Sequence, residues 1–302
     1  MNVRAPARAS IARRRIALGF ERRVLRTRYG RERRVPLAGR MTIRVRLNDA
    51  MGREIFVYGT SEYYLGGVLE ELIAPGDTVV DVGANIGEHT LRAAWRTGSA
   101  GRVFAFEPQP TVFATLVANI AENSFDDRVT PLSVAVSDRA GEGVLYLPVE
   151  SGNSGLATLE KLRPRISESA THAVETRVRL VRLDDVLTEH RGPVSVVKVD
   201  VEGHERAALA GADRTISEFR PAVLFEVDRN ASTWSAPDSA MTFLRERDYA
   251  ILGIVGDGNR WRLAEIGEYA DVDRLRERWK GPNYPVNLVA INRRDRRLTT
   301  LV

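Results

Sequence analysis

The sequence predicts an α/β fold with a mostly parallel central sheet flanked by helices. Three observations lead there. Short apolar runs such as "DTVVDVG", "RVFAFEP", "VSVVKVDVEG" and "PAVLFEVD" alternate with segments of helical pattern, which implies crossover helices between parallel strands. The runs are apolar on both faces, as strands covered on both sides are. The chain, at 302 residues, is long enough for one large domain with a real core.

Residues 1–40 hold thirteen arginines against Glu21 and Glu32. Ile11, Ile16, Phe20 and Val24 could form a loose apolar stripe on a basic helix there, but a solvated extension or a helix packed on the domain is the favoured reading. The net charge of +5 therefore describes this extension, because residues 41–302 are net negative. We divide the chain into an Arg-rich extension, 1–40, and a domain, 41–302.

Within the domain, "TIRVRLNDAMGREIFVY" with its turn-like Asn48-Asp49 reads as a hairpin. "SEYYLGGVLEELIAPG" gives an amphipathic helix stopped at Pro75-Gly76, and the next strand ends near Gly83. Further strands are expected at "RVFAFEP", "VTPLSVAVS", "VSVVKVDVEG", "PAVLFEVD", "YAILGIV" and "VNLVAINR", with helices over 88–96, 110–123, 204–218 and 238–248. The polar stretch 149–176 breaks the alternation, as a lid, a substrate loop or a surface excursion would.

Several classes are disfavoured. The composition, 43% hydrophobic and 28% charged, is that of a globular chain. No apolar run approaches the roughly 20 residues of a membrane-spanning helix, and the N-terminus lacks the apolar core of a secretory signal, so a cytoplasmic protein is expected. With no cysteine there is no disulfide, thiolate metal site or cysteine nucleophile.

Chemistry is expected at the carboxyl ends of the strands, where such sheets bind ligands. In "VVDVGANIGEHT", Gly83 allows a tight strand-to-helix turn and Gly87 a close backbone approach to a ligand. The loop has no Gly-Lys-Ser/Thr ending and carries Asp81 at its entrance, which disfavours a phosphate and suits a cationic amino group. Glu107 ends the next strand, where a carboxylate can accept hydrogen bonds from vicinal ribose hydroxyls, as in dinucleotide folds; a nicotinamide dehydrogenase competes, without the regular G-x-G-x-x-G spacing. In "VVKVDVEGHERAALAGA", Lys198, Asp200, Glu202, His204 and Glu205 crowd the exit of an apolar strand. Such crowding is costly unless function or mutual pairing requires it.

"VVDVGANIGEHT", "GRVFAFEPQP", "VAVSD", "VVKVDVEGHE" and "RPAVLFEV", in this order and at these spacings, resemble the FkbM family of S-adenosylmethionine-dependent methyltransferases. The resemblance covers about residues 63–227 and implies a Rossmann-like class I methyltransferase. It implies that Asp81, Gly83, Asn85 and Gly87 cradle the methionine end of the cofactor and that Glu107 holds the ribose. By the same resemblance Val136, Ser137 and Asp138 border the adenine, and Asp200 lies beside the sulfonium methyl.

A hydroxyl acceptor needs a general base. Asp200 and His204 are the candidates, with Glu202 or Glu205 orienting one of them, whereas His89 reads as a helix residue near the cofactor. Asp200 with Glu226 or Asp228 could hold Mg2+, although no metal site is assigned. The favoured function is O-methylation of a small-molecule or saccharide hydroxyl, as family members often perform in tailoring natural products and glycans. A nucleic-acid methyltransferase clamping phosphates with the arginine extension is the first alternative, opposed by the acidic domain. A noncatalytic cofactor-binding scaffold is the second. Tyr63, Tyr64, Asn153, Ser154 and Trp234 are candidates for the acceptor pocket.

Overall fold

The computed structural model describes residues 32–38, 40–148, 154–160, 173–190, 192–227, 239–257, 260–267 and 286–301. Strands β1 (Glu32–Leu37) and β2 (Met41–Arg46) form an antiparallel hairpin, followed by helices α1 (Ala50–Tyr58) and α2 (Tyr63–Leu72). The alternation begins with β3 (Thr78–Val82), α3 (Glu88–Thr97), β4 (Arg102–Phe106), α4 (Pro110–Glu122) and β5 (Val129–Leu132). Strands β6 (Ala135–Val136), β7 (Gly141–Pro148) and β8 (Ala173–Val181) make a separate small sheet in the order β6-β8-β7. Then come α5 (Leu183–Val186), β9 (Val194–Val199), α6 (Glu205–Gly211), α7 (Asp213–Phe219) and β10 (Ala222–Val227). Helix α8 (Ala240–Arg245), strands β11 (Tyr249–Asp257), β12 (Arg260–Glu265) and β13 (Val286–Asn292), and helix α9 (Arg297–Leu301) complete the described elements.

The large sheet runs β12-β11-β13-β10-β9-β3-β4-β5. Strands β3, β4, β5, β9 and β10 are parallel, whereas β13 is antiparallel to β10 and β11. This is the expected class I architecture. Strand order reverses between β3 and β9, so the crevice where open α/β sheets bind ligands lies at the exits of these two strands.

Alternating side chains divide the core into two layers. Val79, Val196, Leu224 and Val289 pack on the face covered by the hairpin and α1–α4, and Val80, Val197, Val223 and Leu288 pack on the opposite face toward α6 and α8. Asp81, Lys198, Glu226 and Asn287 share the parity of the first set. They form a polar row across the exits of β3, β9 and β10 and the start of β13, on the face that α2 and α3 cover.

Several elements differ from expectation, among them the strand read at residues 129–137, which is split into β5 in the large sheet and β6 in the small one. The second arm of the hairpin read at residues 42–58 is helix α1. Asp49 caps it by accepting from Gly52 N (3.3 Å), and Gly59, at φ +79°, ends it by donating to Ile55 O (2.8 Å). The true partner of β2 is β1, which lies inside the residues assigned to the extension. Its Val35 and Leu37 are buried with Ile43 and Val45. The helix expected over 204–218 is broken at Ala212 into α6 and α7. Sequence analysis also missed β7, β8 and β12; residues 173–176 of the polar stretch belong to β8. No described helix is long and apolar enough to cross a membrane.

Candidate active site

The glycine loop is fixed by contacts within the fold. Gly83 sits at φ +77°, and a Cβ there would come within 1.8 Å of Asp200 O. The exits of β3 and β9 thus touch backbone to backbone. Gly83 N and Ala84 N donate to Phe106 O (3.0 and 2.9 Å), tying the loop to the end of β4. Gly87, at φ +97°, differs from its sequence reading: the space a Cβ would need is taken by Leu116 Cδ1, 2.7 Å away. Its missing side chain therefore lets α4 pack against the loop.

Glu107 is 7% exposed, and its two oxygens are divided between two segments. Oε2 accepts from Asn85 N in the loop (2.9 Å) and Oε1 from Gln109 N (2.8 Å). Burial pushes its pKa up to about 7, against the lowering effect of both amides and of Lys198. Glu205 is likewise pushed up to about 7 by burial; its Oε1 accepts from Gly203 N (3.0 Å) and Val201 N (3.3 Å), so this acid braces the turn after β9.

These two groups set a pH dependence. Both hold protons in the native state that the unfolded chain releases above its ordinary carboxyl pKa, so their effect on ligand-free stability falls as pH rises from about 4.5 to about 7. Each costs on the order of 3 kcal/mol by pH 8. Urea denaturation at pH 5.5 and 8 measures this, and Glu107→Gln should flatten the difference; an unchanged slope in that variant would remove Glu107 as its source.

Lys198 is the positive centre of the site and is 3% exposed. Its Nζ lies 3.3 Å from Asp81 Oδ1 and 3.4 Å from Asp200 Oδ2, and it donates to Gly83 O (3.3 Å). Burial alone would lower its pKa, but Asp81, Asp200 and Glu62 outweigh that and hold the ammonium charged. Thr90 Oγ1 donates to Asp81 Oδ2 (2.6 Å), and the Lys198 ammonium pairs with Oδ1. The acid at the loop entrance is thus already neutralised by the neighbouring strand.

Beside Lys198 the polar row continues. Burial pushes Glu226 well above the ordinary carboxyl range, reinforced by Asp200 and Glu202 and by a hydrogen bond with Asp200. Opposite it on β13, Asn287 Nδ2 donates to Glu62 Oε1 (2.5 Å), and Glu62 Oε2 pairs with His89 Nε2 (2.9 Å). Burial would raise the Glu62 pKa, but His89, Lys198 and Asn287 outweigh it and hold it low.

Against this geometry the comparisons with known proteins are specific. The Methyltransferase FkbM domain model matches residues 81–251, more than half of the chain and all of the strand exits described above. This chain belongs to the FkbM methyltransferase family. Similar proteins include methyltransferase sdnD of Sordaria araneosa, 31% identical over 56% of this chain and 82% of that one. Another is the 31-O-demethyl-FK506 methyltransferase FkbM of Streptomyces tacrolimicus, 34% identical over 53% of this chain and 67% of that one. The hexuronic acid methyltransferase AglP of Haloferax volcanii is 33% identical over 45% of this chain and 49% of its own length.

In this FkbM methyltransferase the sequence-derived site residues divide into groups. Asp81, Gly83, Asn85, Glu107, Lys198 and Asp200 converge on the β3, β4 and β9 exits. Val136 and Ser137 follow β5 on the neighbouring small sheet and are buried, with Asp138 next to them on the surface. Of the two acids expected to orient Asp200 or His204, Glu205 binds the loop amides of Val201 and Gly203, while Glu202 takes the left-handed conformation (φ +52°) with its carbonyl accepting from Thr158 Oγ1 (2.8 Å); the acid that pairs with His204 Nδ1 is Glu160, through Oε1 (2.9 Å). The Asp200–Glu226 pair is a hydrogen bond between carboxyl groups, and among the described residues no group of three or more His, Asp or Glu could hold a metal. Asp228, Asn153 and Trp234 lie outside the described residues.

Tyr63 and Tyr64 stack edge to face, 5.2 Å apart, at the start of α2. Sequence reasoning missed Glu62 and Asn287, which are 225 residues apart in the chain. The nearest local signal for Glu62 was its place just before a helix.

Proposed function

We propose that this protein is an S-adenosylmethionine-dependent O-methyltransferase that modifies a hydroxyl of a small molecule or saccharide. Glu107 carries the reading. It is a buried carboxyl at the switch-point crevice, tied to the glycine loop by one oxygen and to its own strand exit by the other, with lone pairs on both oxygens left for vicinal hydroxyls. The loop from Gly83 to Gly87 would hold the amino-acid end. Val136, Ser137 and Asp138 would border the adenine. The name of one relative specifies an O-demethylated compound as substrate, which supports an oxygen acceptor here, and that of another a hexuronic acid, which supports a saccharide.

The bound cofactor supplies an electrophilic methyl group on a sulfonium. The chain's own task is alignment and proton removal. Asp200 stands at the β9 exit, where it would take the acceptor's proton. Lys198 Nζ, 3.4 Å from Asp200 Oδ2, and the neighbouring Glu226 carboxyl both interact with it. His204 is less suited to that role, since both ring nitrogens already have partners.

Calorimetric titration of S-adenosylmethionine and S-adenosylhomocysteine into the protein tests this, beside Glu107→Ala and an NAD control. Both sulfur compounds should bind, and the substitution should weaken them by about tenfold or more through loss of charge-assisted hydrogen bonds. Binding of NAD alone would assign Glu107 to a dehydrogenase, and binding of none would favour the scaffold.

A further inference from the structure

His204, in the turn before α6, touches two segments that are otherwise far apart in sequence. Its Nε2 lies 3.0 Å from Ser137 Oγ and its Nδ1 lies 2.9 Å from Glu160 Oε1. A carboxylate only accepts, so Nδ1 carries the hydrogen, and a neutral ring leaves Nε2 to accept from the Ser137 hydroxyl. That hydroxyl is also 3.1 Å from Asp138 Oδ1, so its single hydrogen is shared between the ring and the acid beside it.

Both contacts are built into their surroundings. Ser137 is fully buried, and its N donates to Val181 O (2.8 Å) on β8. A Cβ on Gly211 would come within 2.0 Å of Ser137 O, so α6 lies directly on this turn. On the other side, Thr158 Oγ1 donates to Glu202 O (2.8 Å) and accepts from Glu160 N (3.0 Å), which sets Glu160 in front of the ring. The backbone is shaped to match: Glu202 and Gly203 both have positive φ, +52° and +98°. The "EGH" turn thereby presents the imidazole between the two segments.

We propose that His204 is a positioning residue with two separable halves: Nε2 sets the Ser137–Asp138 turn for the cofactor, and Nδ1 holds residues 154–160 against the exit of β9. The cofactor half rests on the reading of Ser137 and Asp138 as the adenine border. The other half is independent of it. Joined through one ring, the two segments are held in register with Asp200, four residues earlier in the chain.

Two conservative variants separate the halves, because an asparagine amide reaches the place of Nδ1 and a glutamine amide that of Nε2. His204→Asn should keep the Glu160 bond and lose the Ser137 bond. His204→Gln should do the reverse. The readouts are S-adenosylhomocysteine affinity by calorimetry and amide hydrogen exchange of residues 154–160 by mass spectrometry.

For His204→Asn we expect affinity to fall about tenfold, the order of one lost hydrogen bond, with near-normal exchange in 154–160. For His204→Gln we expect affinity within about twofold of the parent and exchange in 154–160 faster by about tenfold, again one bond's worth. His204→Ala should show both defects. The proposal is overturned if Asn and Gln behave alike, or if His204→Ala changes neither readout. Failure of the unsubstituted protein to bind S-adenosylhomocysteine would count against the proposed function and the cofactor half together, while the exchange pattern would still decide the other half.

Discussion

Lys198→Met is expected to lower the stability of the fold by about 3–5 kcal/mol, because it leaves buried carboxylates without their cation. Lys198 is 3% exposed and Asp81 2%, and Asp200 and Glu62 also act on the same ammonium. Methionine fills most of the volume, so the loss is electrostatic and not a cavity effect. It should therefore depend on pH. Lys198 is one of the groups that hold the Glu62 carboxyl low, so without the lysine that acid takes up a proton more readily, and the deficit should be smaller near pH 5 than at pH 8. Thermal unfolding at the two pH values measures this, with a midpoint drop of roughly 10 °C expected at pH 8. A pH-independent loss of under about 1 kcal/mol would show that the cluster is wet enough to screen its charges.

Gly83→Ala is expected to be comparably severe for a different reason. The new methyl would have to occupy a point 1.8 Å from Asp200 O, and the residue would stay at φ +77°. Relieving that contact means parting the exits of β3 and β9, which carry Asp81, Lys198 and Asp200. The left-handed backbone alone costs about 1 kcal/mol or more, and the clash adds to it, so a total of at least about 3 kcal/mol is anticipated. S-adenosylhomocysteine binding should be lost with it. The informative control is Gly87→Ala, where the obstructing atom is the end of a leucine side chain and not a backbone carbonyl. If Gly83→Ala binds the ligand as well as Gly87→Ala does, the backbone contact is not what shapes the loop.

The alternation of apolar strands and helices was legible in the sequence because burial on both faces forces unbroken Val, Leu and Ile runs, and because Gly83, Pro75-Gly76 and Gly87 punctuate them. The FkbM signature rests on the same local regularities, with the acids at strand ends fixed in position by the strands themselves. The hairpin was misplaced by one element because Asn48-Asp49 serves a turn and a helix cap equally well, and only the cap bond to Gly52 N distinguishes them. Strand β8 was hidden because its alternation, "VETRVRLV", adjoins a polar stretch and pairs mainly with β7 outside the main sheet.

The sequence by itself determined the class of fold, the crevice and the identity of Asp81, Glu107, Lys198 and Asp200 as the charged groups around it, since each lies within a residue or two of a strand end. Which charge faces which was decided only by the tertiary structure. Lys198 neutralises the loop acid because β9 lies beside β3 with Asp81 opposite Lys198 in register. His204 is tied to Ser137 and Glu160, and Glu62 to Asn287, across 67, 44 and 225 residues. Side-chain pairing at such separations follows from strand order and layer packing, and no local pattern of residues encodes it.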